Sequence, residues 1–217
     1  MQTKQPQPPS ESAILRALGE FQLSANSHQV LQIQQYIELL LKWNDKINLT
    51  AIRDPLEILY RHFCESMYGK VVIPVEKCRL ADVGSGGGFP GLPMKIICPE
   101  LDVVLIESNI KKATFLTEVV RDLGLTGVRV LVRRYEELSE EVAPLDVICA
   151  RAVGEFEAFL EWASSPVLGT EKIALWIGGE DAALVRQVPL EGWEWEEPKP
   201  LPHSLRRFIL IGKRILG

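Results

Sequence analysis

Apolar and polar positions change their spacing once along the chain, at about residue 77. Before that point, apolar residues recur at intervals of three and four, which is the spacing of one face of a helix. The pattern predicts helices over 11–22 and 28–47. A third helix is predicted to begin at Pro55, because Asp54 is a good capping residue and proline suits the first helical position. About 65 residues of helix therefore precede the first strand.

After residue 77, short apolar runs alternate with helical stretches, which is typical of βαβ units and a mostly parallel sheet covered on both faces. The predicted strands are 78–83, 102–107, 128–132, 145–150 and 172–177. The predicted helices are 91–98, 109–123, 135–141, 154–164 and 180–187. Two last apolar runs, 193–200 and 207–213, have no helix between them and predict an antiparallel hairpin at the sheet edge. The expected fold is α/β with a seven-stranded sheet.

The pattern divides the chain into three parts. Residues 1–10 are polar, contain three prolines and predict a disordered tail. Residues 11–77 form a helical extension, and 78–217 form the domain that contains the sheet. The tail lacks the apolar centre of a signal peptide, and no apolar run is long enough to span a membrane. We therefore expect a cytoplasmic protein without a membrane partner.

Composition narrows the possible functions only slightly. The chain has 217 residues, 47% of them hydrophobic, and a net charge of −5, which argues against a uniformly basic nucleic-acid binder. Basic residues are nevertheless dense in two regions, 111–134 and 206–214. The four cysteines form no C-x-x-C pair and the three histidines are scattered, so we expect no metal site.

The stretch from Leu80 to Gly91 carries the strongest chemical signal, because an apolar strand ends in an acid and enters a glycine cluster. Gly86, Gly88 and Gly91 have the spacing G-x-G-x-x-G, and Glu107 stands at the end of the next strand. A carboxylate there can accept both hydroxyls of an adenosine ribose. This arrangement suits NAD and S-adenosylmethionine equally well.

Three features favour S-adenosylmethionine over NAD. Asp82 precedes the loop, and a carboxylate suits a sulfonium or an amino group better than a pyrophosphate. Pro90 removes a backbone N–H that a pyrophosphate would use. The three leading helices are also unusual for an NAD fold.

Further candidates stand at the ends of the later strands. Glu136 and Glu137 follow the third strand, where they could hold an adenine edge, although acids at a helix start have an ordinary electrostatic role as well. Arg151 ends the fourth strand, at the edge where open α/β sheets bind ligands, and could reach a methionine carboxylate or an RNA phosphate.

The chain after residue 10 resembles the bacterial 16S ribosomal RNA (guanine-N7) methyltransferase family, historically called glucose-inhibited division protein B. The matching segments are W-N-x-x-I-N-L-T at 43–50, R-D at 53–54, R-H-F at 61–63, the loop at 82–91, E-S at 107–108, K-K at 111–112, F-L at 115–116, E-E at 136–137 and R-A at 151–152. The resemblance implies a class I methyltransferase fold, S-adenosylmethionine as methyl donor, and methylation of N7 of one guanosine in small-subunit ribosomal RNA.

The resemblance also implies roles for individual residues. Together with the features of the loop, it predicts cofactor contacts at Asp82, Gly84, Gly86, Gly88, Phe89, Glu107, Glu136, Glu137 and Arg151. Residues expected near the acceptor are Asn48, His62 and Arg151. Residues expected to contact RNA are Arg53, Lys111, Lys112, Arg206 and Arg207. No acid or base is assigned, because N7 carries a lone pair and no proton. The partner is 16S ribosomal RNA or the small subunit, and a monomer is expected.

The chain departs from the family pattern at two positions. Where relatives read aspartate-serine after the R-H motif, this chain has Glu65-Ser66. The late lysine-glycine pair is replaced by Trp176-Ile-Gly-Gly179, which removes a lysine. Alternatives that stay open are a methyltransferase for another RNA, a protein or a small molecule, an NAD-dependent oxidoreductase, and a non-catalytic RNA-binding module.

Overall fold

The computed structural model of the chain describes residues 7–75, 77–151 and 154–215. Most of the predicted tail, residues 1–6, lies outside the described residues, as does Ala152 of the R-A motif. Pro9 and Ser10 contact the helices that follow. The Pro9 carbonyl accepts a hydrogen bond from Gln34, and the Ser10 side chain accepts one from the backbone N–H of Ala13.

The helical extension begins with α1 (Glu11–Glu20) and α2 (Ser27–Asn44). Asn26 caps α2 by accepting the N–H of Gln29, while the Gln29 side chain accepts the N–H of Asn26 in return. This reciprocal pair satisfies two backbone donors that a helix start leaves open. The predicted α1 and α2 are therefore confirmed, with α2 ending three residues earlier than the pattern indicated.

The third predicted helix is confirmed at its start and differs in its interior. It begins at Pro55, and the Asp54 carboxylate accepts the N–H of Glu57 at 2.8 Å. The segment consists of α3 (Pro55–Ile58), a π-helical turn (Leu59–Cys64), α4 (Glu65–Met67) and α5 (Gly69–Val72). A π-turn inserts an extra residue per turn and changes which side chains face the core.

The sheet has the order β3-β2-β1-β4-β5-β8-β6, and β7 also pairs with β8. Its strands are β1 (Arg79–Val83), β2 (Asp102–Ile106), β3 (Val128–Leu131), β4 (Val147–Arg151), β5 (Lys172–Gly178), β6 (Trp193–Trp195), β7 (Lys199–Pro200) and β8 (Arg207–Arg214). Strands β1 to β5 are parallel, and β8 runs antiparallel to β5. From β1 the chain adds β2 and β3 on one side of the sheet and then β4 and β5 on the other. The carboxyl ends of β1 and β4 therefore flank a crevice of the kind that binds ligands in open α/β sheets.

The predicted count of seven strands is wrong, because the predicted strand 193–200 is divided into β6 and β7. Trp195 lies opposite Gly212, and Lys199 lies opposite Ile209. The chain thus advances four residues from β6 to β7 while the paired strand β8 advances three. One extra residue therefore bulges out between β6 and β7. Pro198 lies in this gap, where its missing N–H removes no ladder hydrogen bond.

The helices that cover the sheet are α6 (Gly91–Ile97), α7 (Ile110–Asp122), α8 (Phe156–Ala163) and α9 (Gly179–Val185). The predicted helix over 135–141 is wrong: only Tyr135–Glu137 form a single 3₁₀ turn. The chain becomes extended at Leu138, whose side chain is buried in the core on the α8 face of the sheet. The helix does not continue past Glu137, because the extended backbone at Leu138 places this side chain in the core.

Two hydrophobic cores lie on the two faces of the sheet. One contains the apolar side chains of α8 and α9, for example Phe159 and Val185. The other joins Leu18 and Ile37 of the extension to Val103 of the sheet in one continuous cluster. The extension is therefore packed into the main core. Among the helices of the described ranges, none is long and apolar enough to cross a membrane.

Candidate functional site

The glycine loop leaves β1 in a backbone conformation that favours glycine. Gly84, Gly86 and Gly88 have φ values of +68°, +55° and +86°. The N–H groups of Gly84 and Ser85 both donate to the Ile106 carbonyl, at 2.9 and 3.2 Å, which fixes the turn against β2. A Cβ added at Gly88 would collide with the Tyr36 hydroxyl, so this position also requires glycine for space.

Two carboxylates hold the loop in this shape. Glu107 accepts the N–H of Gly86 at 2.9 Å on one oxygen and the N–H of Asn109 at 2.8 Å on the other. Asp82 accepts the N–H of Gly91 at 2.9 Å through Oδ2. Glu107 therefore lies directly after β2 and beside the glycine loop. Its contact with a ribose stays a prediction.

Asp82 is fully buried and has one unused acceptor. Burial raises the pKa of its carboxyl to about 7, the Gly91 N–H acts in the opposite direction, and the charge of Glu107 raises the pKa further. Within the described part of the chain, the buried Oδ1 has no hydrogen-bond partner. A buried carboxylate with an unused oxygen favours a ligand that brings a positive charge or a donor close to it.

A cavity of about 300 Å³ opens at the carboxyl ends of β1, β2 and β4. Its wall includes Gly84, Ser108, Arg134, Tyr135, Glu136 and Arg151. The structure thus brings together three sequence candidates: Gly84, Glu136 and Arg151. Glu137 is exposed and donates its N–H to the Arg134 carbonyl, and its predicted cofactor contact stays a prediction. We call this the donor cavity, because it lies where the sequence predicts that the methyl donor binds.

Sequence reasoning missed some of the residues around the donor cavity. Ser108, Arg134 and Tyr135 each follow a strand closely, so their distance from the strand end was an available signal. Tyr36 donates from its hydroxyl to the Gly87 carbonyl at 2.5 Å and braces the loop from α2. It lies within an ordinary apolar stripe of that helix, so its spacing gave no indication of this role.

Phe89 lies in an aromatic stack rather than on the wall of the donor cavity. Its ring is nearly parallel to the ring of Tyr36, with centroids 5.7 Å apart, and to the ring of His62, with centroids 4.7 Å apart. The His62 Nε2 is 2.6 Å from the Thr50 hydroxyl oxygen. The stack joins the glycine loop to the extension, and direct contact of Phe89 with a cofactor stays a prediction.

His62 is held in its neutral form. Burial, followed by the positive charges of Arg151 and Arg61, lowers its pKa to about 3. Its Nδ1 is buried and, as far as the described residues extend, has no hydrogen-bond partner. An imidazole with this pKa stays uncharged near neutral pH, so it is available for stacking and hydrogen bonding and is poorly suited to proton transfer.

A cluster of charged side chains surrounds Glu65, which is 2% exposed. Its carboxylate oxygens lie 3.2 Å from a nitrogen of Arg151, 2.7 Å from Arg207 and 3.3 Å from Arg61. The Trp176 indole N–H donates to the Glu65 backbone carbonyl at 2.7 Å. A second cavity of about 180 Å³ has Glu65, Arg151, Trp176 and Arg207 on its wall. Arg151 therefore borders both cavities.

The other RNA and acceptor candidates lie on the surface. Asn48 is exposed on the loop after α2, and Arg53 on the same loop pairs with Asp45 at 3.1 Å. Lys111 is exposed and Lys112 half-buried in the first turn of α7, while Arg206 is exposed next to β8. In the described ranges, no group of three or more histidine, cysteine, aspartate or glutamate residues could hold a metal ion.

Solved structures share this fold at low sequence identity. An S-adenosylmethionine-dependent methyltransferase from Aquifex aeolicus superposes with a TM-score of 0.57 at 18% identity, over 75% of this chain and 94% of the other. A point mutant of MtNAS in complex with S-adenosylmethionine superposes with a TM-score of 0.56 at 13% identity, over 86% of this chain and 76% of the other. The predicted class I methyltransferase fold is confirmed.

Sequence relatives are much closer. The ribosomal RNA small subunit methyltransferase G of Chloroflexus aggregans is 40% identical over 216 residues, which is 95% of this chain and 90% of that protein. The protein of the same name from Dichelobacter nodosus is 37% identical over 162 residues, 75% of each chain. Residues 29–184 match the family described as GidB, rRNA small subunit methyltransferase G. Because that match spans most of the chain and includes the glycine loop, Glu107 and Arg151, the chain belongs to the rRNA small subunit methyltransferase G family.

Proposed function

We propose that this protein transfers a methyl group from S-adenosylmethionine to N7 of one guanosine in small-subunit ribosomal RNA. The observation that carries the proposal is the donor cavity, whose wall includes Gly84, from the loop that Glu107 braces, and Arg151 at the end of β4. The family membership of the chain points to the same reaction class and substrate.

The residues around the donor cavity fit S-adenosylmethionine. This cofactor supplies an electrophilic methyl group on a sulfonium centre. Glu107 already accepts two N–H groups and has lone pairs left for ribose hydroxyls. Asp82 provides a buried carboxylate with a free oxygen, suited to a cationic ligand either directly or through a water molecule. Arg151, on the wall of the donor cavity at the end of β4, can hold the carboxylate of the methionine part of the cofactor.

Methylation at N7 requires no proton transfer by the protein. N7 of guanine carries a lone pair and no proton, so no general base is required. The neutral state of His62 agrees with this, because a group held at a pKa of about 3 would be a weak base. What the site must supply is alignment of nucleophile and methyl carbon, which is catalysis by proximity.

The guanine must also be accessible. N7 lies on the major-groove edge, and the major groove of an RNA helix is deep and narrow, so an unpaired guanosine is the expected target. Arg53, Lys111, Lys112 and Arg206 are surface cations suited to phosphate contacts. Arg207 differs from them, because its guanidinium is paired with the buried carboxylate of Glu65. A cytoplasmic monomer remains the expected form.

A comparison of ribosomal RNA from cells with and without the gene tests the proposal. N7-methylguanosine in small-subunit RNA is mapped by strand cleavage at the modified base. We expect one site to disappear without the gene and to return with the wild-type gene, but not with a Gly84→Asp variant. An unchanged map would refute the RNA substrate. Calorimetry that showed binding of NADH and none of S-adenosylmethionine would refute the methyltransferase itself.

A further inference from the structure

One buried carboxylate, that of Glu65, holds three guanidinium groups from distant parts of the fold. Arg61 comes from the π-turn, Arg151 from the end of β4 and Arg207 from the start of β8. Arg207 places two of its nitrogens, 2.9 and 2.7 Å away, against the same oxygen of Glu65. Such charge-assisted, forked contacts fix the orientation of a side chain as well as its position.

The charge of Glu65 is what allows these cations to lie together. Burial lowers the pKa of Arg151, and the charges of Arg61 and Arg207 lower it further, whereas Glu65 raises it. Without the carboxylate, three like charges would share a largely buried site, which strongly favours their separation. Arg151 has a second anchor, because it also donates to the Arg61 carbonyl at 2.8 Å.

The position of this cluster relates it to the reaction. Arg151 lies on the wall of the donor cavity and also on the wall of the second cavity. Glu65 and Arg207 line only the second of these two. Glu65 therefore contacts Arg151 from the side of the second cavity and can reach the donor cavity through Arg151.

The two departures from the family pattern contact each other here. The Trp176 indole N–H donates to the Glu65 carbonyl at 2.7 Å, and Trp176 stands in the segment where the lysine is missing. Glutamate is one methylene longer than aspartate. Its longer arm reaches Arg207 on β8, which brings a positive charge to the second cavity.

We propose that Glu65 is a positioning residue for methyl transfer: it holds Arg207 in the wall of the second cavity, where Arg207 faces the acceptor nucleotide, and it fixes Arg151 between that cavity and the donor cavity. This inference rests on the proposed function. The Arg207 guanidinium is suited to the phosphate or to O6 of a guanosine nucleotide, because both accept its hydrogen bonds and leave the N7 lone pair free for methyl transfer.

The test compares Glu65→Gln with Glu57→Gln. Glu57 lies two turns earlier on the same helical segment and is half-exposed. Its carboxylate makes a long 3.9 Å contact with Arg61, so it is a matched control. Methylation of small ribosomal subunits is measured at saturating S-adenosylmethionine, per donor-binding site counted by calorimetry. We expect Glu65→Gln to lower kcat/KM by at least about tenfold, because misplacement of a positioned group slows the aligned reaction. The donor Kd should change by less than about threefold, because Arg151 keeps its second anchor on the Arg61 carbonyl. Glu57→Gln should match the wild type.

A second variant keeps the test decisive if Glu65→Gln does not fold. Glu65→Asp retains the charge but shortens the arm, so it should fold and show an intermediate kcat/KM. A purely structural role predicts a lower unfolding midpoint with unchanged kcat and KM per donor site in either variant, and that result would overturn the inference. If the wild type methylates and the Glu65 variants equal it, only the role of Glu65 is wrong. If the wild type methylates no ribosomal RNA, the proposed function is wrong and the inference falls with it.

Discussion

Replacing Asp82 by asparagine should change how the free energy of unfolding depends on pH. The Asp82 carboxyl is 0% exposed, and its pKa is about 7 against an ordinary value of 3.8. Burial is the main cause, and the charge of Glu107 adds to it. Asparagine has nearly the same shape and can still accept the Gly91 N–H, so the variant removes the charge and keeps the loop contact.

The sign follows from proton binding. Between pH 3.8 and about 7, the folded protein keeps the Asp82 proton while the unfolded chain has lost it. Stability therefore falls as pH rises through this range and levels off above it. Each pKa unit corresponds to about 1.36 kcal/mol, so the two units between pH 5 and 7 amount to about 2.5 kcal/mol.

The wild-type curve alone would hide this effect, because His62 has the opposite one. The pKa of His62 is lowered from 6.5 to about 3, so the unfolded chain takes up a proton that the folded protein refuses. Stability then rises with pH over nearly the same interval in which Asp82 lowers it. The quantity to measure is the difference between variant and wild type at each pH, since all unchanged groups cancel in it.

Urea unfolding of both proteins at pH 5, 6, 7 and 8 provides the assay. We expect the difference, Asp82→Asn minus wild type, to shift in favour of the variant by about 2.5 kcal/mol between pH 5 and pH 8. Binding of S-adenosylmethionine should depend on pH for the same reason, because a cationic ligand binds more tightly to the charged Asp82 carboxylate than to its protonated form. The affinity of the wild type should therefore rise about tenfold from pH 6 to pH 8, and that of Asp82→Asn should stay constant. A difference in stability that stays constant to within about 0.5 kcal/mol would refute the buried, proton-retaining state of Asp82.

Three further predictions concern single parts of the site. His62→Phe should remove the rise of stability with pH, so that its difference from wild type shifts against the variant by about 2 kcal/mol between pH 5 and 8. A flat difference curve would contradict the lowered pKa. Gly84→Asp should abolish binding of S-adenosylmethionine in calorimetry, whereas the control Gly124→Asp, with a similar φ of +61° against +68° and equally open space, should bind normally; equal loss in both would implicate backbone strain. Lys111→Glu combined with Lys112→Glu should slow ribosomal RNA methylation and reduce the slope of log kcat/KM against log salt by about 1.4, which is about 0.7 for each lost phosphate contact on an unpaired strand. Undiminished methylation would remove both lysines from the RNA interface.

The parts of the site that could be predicted from sequence lie near one another along the chain or at strand ends. Parallel topology places the carboxyl ends of β1, β2 and β4 at one edge, so the meeting of Gly84, Glu107 and Arg151 follows from element order alone. The glycine conformations were predictable for the same local reason, because a strand that turns sharply against its neighbour needs residues that tolerate positive φ.

The parts that could not be predicted depend on long-range packing. Tyr36 contacts the Gly87 carbonyl 51 positions away, and Arg207 contacts Glu65 across 142 positions. No spacing rule connects such pairs, because they meet only after helices and sheet have docked. The 3₁₀ turn at Tyr135–Glu137 is a smaller case, in which burial of Leu138 overrides the local helical pattern.

These long-range contacts also bear on how the helical extension relates to the reaction. The change of pattern at residue 77 divides the sequence, but Tyr36, His62 and Glu65 from the extension contact the glycine loop and Arg151. The charge state of His62 depends on Arg151, and the position of Arg151 depends on Glu65. A loosened extension would therefore free the loop and the arginine together, before any donor or RNA contact was changed directly. The extension thus braces the glycine loop and Arg151 from behind, and substitutions in its core, such as at Ile37, should affect donor affinity as well as stability.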